Sequence, residues 1–278
     1  MGVSESDDRV RRLGLSDLGH CRDLAASHGW GAEERTWRLL FAIGDVYGID
    51  DPGGGLAGTV VSTPYGDDVA AIGMVLVAGH RQRQGLGERL MRHAMERAKT
   101  ASLFLTATDA GRPLYERLGF RSTGLLTSYQ GIVDGFPRGN RTAPAHPEDV
   151  QDIIKLDAKV FGATRAALVE SLPSFCETLR VVRDGTDLVG YGGTWRNVDQ
   201  LIVGPVLARD EEIALALVEE MARPGPLRLE VDTRHRGLTA WSEEHGLRPI
   251  FNTTIMEYGA PVAIDPSRLF LPVALALG

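Results

Sequence analysis

Several things are scarce in this chain. Cysteine occurs only at Cys21 and Cys176, far apart and without the spacing of metal ligands or a disulfide framework. Two reduced, partly buried thiols of a cytoplasmic protein are the expectation. The histidines His20, His28, His80, His93, His146, His235 and His245 are scattered and make no ligand pattern, so no metal is expected. Positive charge is in deficit: 30 Lys and Arg face 37 Asp and Glu, a net −7. Without a basic face, nucleic acid is excluded as an expected partner. Long apolar runs are missing too. The longest, the tail "LFLPVALALG", is interrupted by Pro272 and falls short of the ~20 residues of a membrane-crossing helix. The opening "MGVSESDDRVRR" has no apolar segment and does not read as a secretory signal. What remains is a soluble globular composition, with 278 residues for one large domain or two ordinary ones.

Two halves then stand out. In the first, Asp17 precedes a helical pattern of Leu18, Cys21, Leu24 and Ala25. Strand-like "LLFAIGD", "LAGTVVS" and "VAAIGMVLV" follow, separated by the turn signals "DDPGGG" and "TPYGDD". After them come a helix, the strand "SLFLTAT", a short helix "RPLYERLG" and a last strand from Phe120 to about Ile132. "VDGFPRGNRTAPAHPED" reads as a linker. The second half repeats the order helix, three strands, helix, strand, helix, strand, as a repeat of pattern rather than of residues. An α/β (α+β) fold is expected, each half a mixed, mostly antiparallel sheet flanked by helices, with domains at 1–135 and 141–278.

The sequence turns specific at "AGHRQRQGLGERLMRHAMERAK", residues 78–99. Leu86, Leu90, Met91, Ala94, Met95 and Ala98 form one helical stripe. Ahead of that helix stand Arg81, Arg83, Gly85 and Gly87. A helix N-terminus carries unpaired N–H groups and partial positive charge, and glycine lets an anion approach the backbone. The stretch describes a phosphate cradle that is neither the Walker nor the three-glycine dinucleotide pattern.

"VAGHRQRQGLGERLMRHAM", with Gln82-Arg83-Gln84-Gly85-Leu86-Gly87 at its centre, resembles the pyrophosphate-binding motif of the GNAT N-acetyltransferase superfamily. "LFLTATDAGRPLYERLGF" downstream looks like the rest of that superfamily's core, and the two blocks stand in the right order. The resemblance to the core covers residues 69–121. It implies acetyl-CoA as co-substrate, with Gln82, Arg83, Gln84, Gly85, Leu86, Gly87 and Glu88 about its pyrophosphate. The strand Val75–Leu76–Val77 would pair with its pantetheine arm, with Leu76 or Val77 as oxyanion donor. Ala110 and Gly111 would pass the cofactor, and Tyr115 would protonate the leaving thiolate. The expected reaction moves the acetyl group to a primary amine of a small molecule by direct attack, without metal or membrane.

No general base is visible. Asp67, Asp68, Glu33 and Glu34 read as surface charges. His28-Gly29-Trp30 follows the first helix, where family members place substrate, so Trp30 is a substrate-side candidate. The second half has no glycine loop. "ARDEEIALALVEEM" opens its helix with Asp210, Glu211 and Glu212, which repel a pyrophosphate, and Ser242 stands in the place of Tyr115. It looks like the degenerate C-terminal domain of tandem GNAT proteins. Its expected roles are to shape the acceptor site, with Phe161 and Arg165 as candidates, to serve as a homodimer surface, or to sense a ligand. The tail after Pro266 is expected to pack back on a domain. The rival readings are a CoA or metabolite sensor without turnover, and an acyltransferase with a longer donor or a hydroxyl acceptor.

Overall fold

A computed structural model of the chain describes residues 9–30, 34–136 and 139–278. The first half runs β1 (Arg11–Arg12), α1 (Leu18–Ser27), α2 (Glu34–Ile43), β2 (Asp45–Asp50), β3 (Leu56–Tyr65), β4 (Val69–Val77), α3 (Leu86–Ala98), β5 (Ser102–Ala107), α4 (Arg112–Arg117) and β6 (Arg121–Val133). The second runs β7 (Ala143–Pro144), α5 (Val150–Phe161), α6 (Ala166–Phe175), β8 (Thr178–Asp184), β9 (Asp187–Asn197), β10 (Gln200–Ala208), α7 (Glu211–Met221), β11 (Gly225–Asp232), α8 (Arg236–Glu244), β12 (Arg248–Gly259) and β13 (Leu269–Leu271). No helix among the described residues is long and apolar enough to cross a membrane.

The pattern repeat holds with one difference. "LLFAI", expected as strand, is the end of α2, and α6 is its counterpart in the second half. A short apolar run fits a buried helix as well as a strand. Here Trp37 and Leu40 face the core at helical spacing, and the first strand of the three is "DVYGID" instead.

All strands join in one sheet, ordered β1-β2-β3-β4-β5-β12-β6-β11-β10-β9-β8-β7. The final strands of the halves are therefore exchanged. β12 pairs with β5 from Thr254↔Ala107 to Gly259↔Ser102. β6 pairs with β11 from Gly225↔Val133 to Asp232↔Leu126, and β6 and β12 pair with each other. Along β4, Ala70 and Ile72 face the core under α3 while Val69 and Ala71 face the opposite one, as strand alternation requires. That opposite core is shared: Leu24, Trp37 and Leu40 pack in it with Phe161, Leu172 and Trp195.

The tail folds back as expected. Phe270, Leu271, Val273 and Leu277 are buried. Its carbonyls are fixed by side chains from both halves: Tyr65 Oη donates to Leu277 O at 2.6 Å, Thr106 Oγ1 to Leu275 O at 2.7 Å and Trp195 Nε1 to Val273 O at 2.9 Å.

Candidate active site

The glycine loop leaves a helix end open. α3 starts at Leu86 with Gly85 as its N-cap in the left-handed region (φ 81°), and no side chain caps it. A Cβ at Gly85 would meet nothing within 4 Å, whereas Gly87 lies close to Leu114 and Val77 and lets helix and strand approach. The acid of the first turn, Glu88, is held by Arg92 at 2.7 Å. Arg83 also has positive φ (61°), stands exposed and has no side-chain partner among the described residues. Gln82 is exposed beside it. Consecutive turns of this kind gather N–H groups into an anion-binding concavity. Arg81, expected to add a second charge, is instead paired with Asp51 at 3.1 Å and bonded to Gln84 at 3.0 Å. Those two residues shape the loop.

Next to it, β4 has a free edge. It pairs with β5 only through Val69–Ala71 against Ser102–Phe104; beyond that the two strands part. A bulge sets Met74 and Val75 against the single Val60, with Met74 at φ 51°. Ala78 N–H bonds Ala57 O at 2.9 Å, so by antiparallel alternation Leu76 points its backbone groups at β3 and Val77 points them away. The Val77 carbonyl accepts from His28 Nε2 at 3.0 Å, which ties the end of α1 to this edge.

At the end of β5, Tyr115 on α4 is buried, and burial pushes its phenol up to about 12. A Cβ on Gly111 would lie 3.0 Å from the Tyr115 ring and 3.3 Å from its Oη. Gly111 therefore makes room for the phenol, while Ala110 is exposed at the preceding turn.

A cavity of about 500 Å³ opens where β4 and β5 part. Gly73, Met74, Thr106 and Thr108 line it from the strands, Gly29, Trp30 and Trp37 from the α1–α2 region, and Ala274–Ala276 from the tail. The second half contributes Trp195, Asn197–Gln200, Arg228, Glu230, Phe251 and Thr253. Of the four non-glycine residues with positive φ among the described residues, Met74, Arg83 and Val198 lie at this loop or cavity. Such strain costs on the order of 1–3 kcal/mol each and concentrates at functional sites.

Of the substrate-side candidates, Trp30 lines this cavity, whereas it is not lined by Phe161 and Arg165. Both are buried in the shared core. Arg165 makes a two-point ion pair with Asp157 (3.0 and 2.7 Å), donates to Gly278 O at 2.9 Å and sits 4.1 Å over the Phe161 ring. Asp157 also accepts from Tyr191 Oη at 2.5 Å. With every partner internal, this arginine locks α5, α6 and the tail together. Asp67 and Asp68 are exposed in the β3–β4 turn. Glu34 pairs with Arg22 and Arg38, and Glu33 lies outside the described residues.

The residues not foreseen are Arg228 and Glu230. Arg228 Nε bonds Glu230 Oε1 at 2.6 Å, and Ser128 Oγ donates to the other carboxylate oxygen. Burial raises the Glu230 carboxyl against the opposing effect of Arg228. "LRLEVD" held the signal. Its alternation sends Leu227, Leu229 and Val231 into a core and sets Arg228, Glu230 and Asp232 together on the other face of an interior strand.

The second half differs at each equivalent place. α7 is capped by Asp210, whose carboxylate accepts from Ile213 N–H at 2.9 Å. β10 and β11 pair only through Leu201–Val203 against Leu227–Leu229, and β13 pairs with β10 beyond that. Ser242 is fully buried and donates to Leu238 O at 2.8 Å on its own helix.

Comparison with known proteins accords with this geometry. Residues 21–120 match the acetyltransferase (GNAT) family and residues 153–271 an acetyltransferase (GNAT) domain. An uncharacterized N-acetyltransferase of Bacillus subtilis, YitH, is 26% identical over 98% of this chain and 99% of its own length. A holothin acyltransferase from a Pseudoalteromonas species is 25% identical over 77% of this chain and 75% of its own. Among solved structures, a proposed acetyltransferase from Pyrococcus horikoshii superposes with a TM-score of 0.83 at 16% identity, covering 100% of this chain and 98% of that one. A tandem GNAT protein of clavulanic acid biosynthesis gives 0.65 at 15%, covering 91% and 99%. These two share the fold. With a match in each half and acyltransferases among its relatives, the chain belongs to the GNAT acyltransferases and carries two of their domains in tandem.

Proposed function

We propose that the first half transfers the acetyl group of acetyl-CoA to a primary amine of a small molecule, by direct attack on the thioester. The observation that carries this reading is the uncapped, glycine-led N-terminus of α3 beside the free edge of β4. Both of its features suit a phosphate-bearing, amide-containing ligand.

Acetyl-CoA supplies the activated acetyl group. The first-turn N–H groups from Gly85 to Glu88, with Arg83, face a pyrophosphate, and the edge Val75–Val77 receives the pantetheine amides. Of the two oxyanion donors considered, Val77 is the better placed, because the N–H of Leu76 is directed into the β3 ladder. The amine attacks from the cavity side, the carbon–sulfur bond breaks, and Tyr115 Oη donates its proton to the departing thiolate. A proton leaves the amine nitrogen to solvent, and Tyr115 is reprotonated. With its pKa pushed up to about 12 by burial, the phenol enters the reaction protonated at neutral pH, with a proton to give when the thiolate leaves. The second half takes no CoA and instead forms one wall of the acceptor cavity.

The test is thiol release from acetyl-CoA against a panel of amines, with Tyr115→Phe in parallel. Amine-dependent release that falls sharply in the variant supports the mechanism. Acetyl-CoA binding without amine-dependent release points to the sensor instead. Release that ignores the substitution removes Tyr115 as the acid.

A further inference from the structure

We infer that the acceptor is an amine that also carries a carboxylate, an amino-acid-like molecule with an apolar body, and that Arg228 in the second half binds this carboxylate. The inference rests on the transferase reading and adds the substrate class to it.

Among the described residues, Arg228 is the cation of the cavity wall. It does not float. Its Nε and Nη2 both reach Glu230 Oε1, at 2.6 and 2.5 Å, and its guanidinium carbon stands 5.0 Å from the centroid of the Phe251 ring. Register explains the fixation: Glu230 lies opposite Ser128 on β6, and Ser128 lies opposite Phe251 on β12. Three strands brought together by the exchange thus build one row. Glu230 has both oxygens engaged, one by Arg228 and one by Ser128. Arg228 Nη1, by contrast, has no partner among the described residues, and the side chain retains 18% exposure. A guanidinium pinned on one side and unsatisfied on the other is preorganised for a carboxylate. Thr253, two residues on from Phe251, also keeps a buried hydroxyl without a partner among the described residues.

The other walls fit an apolar body. Trp30, Trp37, Trp195 and Phe251 surround the cavity, whose ~500 Å³ suits one small ligand. Among the described residues, the remaining charged lining residue, Asp199, sits at the exposed tip of the β9–β10 hairpin. An acceptor whose carboxylate lies on Arg228 can extend its amine towards Met74 and Thr106, where β4 and β5 part.

The experiment uses the full chain and three matched probes: L-phenylalanine, L-phenylalaninamide and 2-phenylethylamine. Acetyl transfer is followed by thiol release. Calorimetric binding of N-acetyl-L-phenylalanine and its amide provides a readout that needs no turnover. In the wild type the acid should exceed the amide by about ten-fold or more in kcat/KM and in affinity, the scale of a charged hydrogen bond. Arg228→Lys should shrink this preference. Arg228→Gln combined with Glu230→Gln, which strands no buried charge, should abolish it. Equal handling of acid and amide by the wild type, a preference that survives the double substitution, or no binding of any probe overturns the inference. Carboxylate-selective binding without transfer to any amine would defeat the transferase reading while leaving Arg228 in its role. Transfer without selectivity would do the reverse.

Discussion

α3 and α7 occupy the same place in the two halves, and they begin differently. α3 has a left-handed glycine and no side-chain cap; α7 has Asp210 bonded to Ile213 N–H, followed by two acids. A capped helix end is satisfied from within. An open end leaves amides for something else. The neighbouring strands repeat the contrast. The gap beyond the short β4–β5 pairing borders a cavity, whereas the gap beyond β10–β11 is occupied by β13 of the same chain. Tyr115 packs under a glycine that clears space for its hydroxyl, while Ser242 bonds back to its own helix. At these three places the first half leaves groups open, and the second closes the equivalent ones with its own residues. On the proposed reading, that difference separates a ligand site from a structural copy of it.

The sharpest way to test the contrast is at the acids. Tyr115→Phe should lower kcat by roughly a hundred- to ten-thousand-fold with acetyl-CoA affinity unchanged, as measured by steady-state kinetics and calorimetry. Ser242→Ala should leave kcat alone and cost about 1 kcal/mol in urea denaturation. Next in size is the second half's ion pair, buried against the core that both halves share. Arg165→Met strands the buried Asp157 carboxylate and should destabilise the protein by about 3–5 kcal/mol. Because β6 and β12 are exchanged, denaturation should remain a single transition; two transitions would show that the halves fold separately. The helix ends come third. Gly85→Asp places an acid where the second half has one, at a position with open space around its Cβ and a backbone conformation Asp tolerates. It should weaken acetyl-CoA by about ten-fold or more, read by calorimetry. Asp210→Ala should cost about 1 kcal/mol of stability and create no second acetyl-CoA site.

Smaller effects refine the Tyr115 half of the comparison. Gly111→Ala pushes a methyl against the phenol ring and should reduce kcat by about ten-fold or less, with the acetyl-CoA affinity retained. The pH profile should be the least changed of all. With the phenol pushed up to about 12 by burial, its protonated form persists through the alkaline range, so no loss of kcat should set in near pH 10. An alkaline limb there that disappears in Tyr115→Phe would mean that the phenol is better solvated than its packing indicates.

Much of this was legible in the residues. The glycine-led helix start could be read because it is local: Gln82 to Glu88 are consecutive, and a glycine before a periodic apolar stripe has few structural outcomes. The order of strands and helices could be read for the same reason, except where "LLFAI" is apolar enough to serve as helix or strand. Arg165 could not be placed, since nothing in "FGATRAAL" indicates that Asp157, one face of α5 and the tail close over it. Arg228 and Glu230 were missed because their importance depends on what lies across the sheet.

The sequence by itself therefore determined the two-part α/β architecture, the glycine loop ahead of α3, and the lack of such a loop in the second half. Each is written in neighbouring residues and in the period of the backbone. Only the tertiary structure decided the exchange of β6 and β12, the filling of the second gap by β13, and the cavity walled by both halves. Those features join residues far apart in the chain, such as Ser128 and Glu230. Such pairings are fixed by which strand edges meet and which faces are buried together, and no local pattern records that choice.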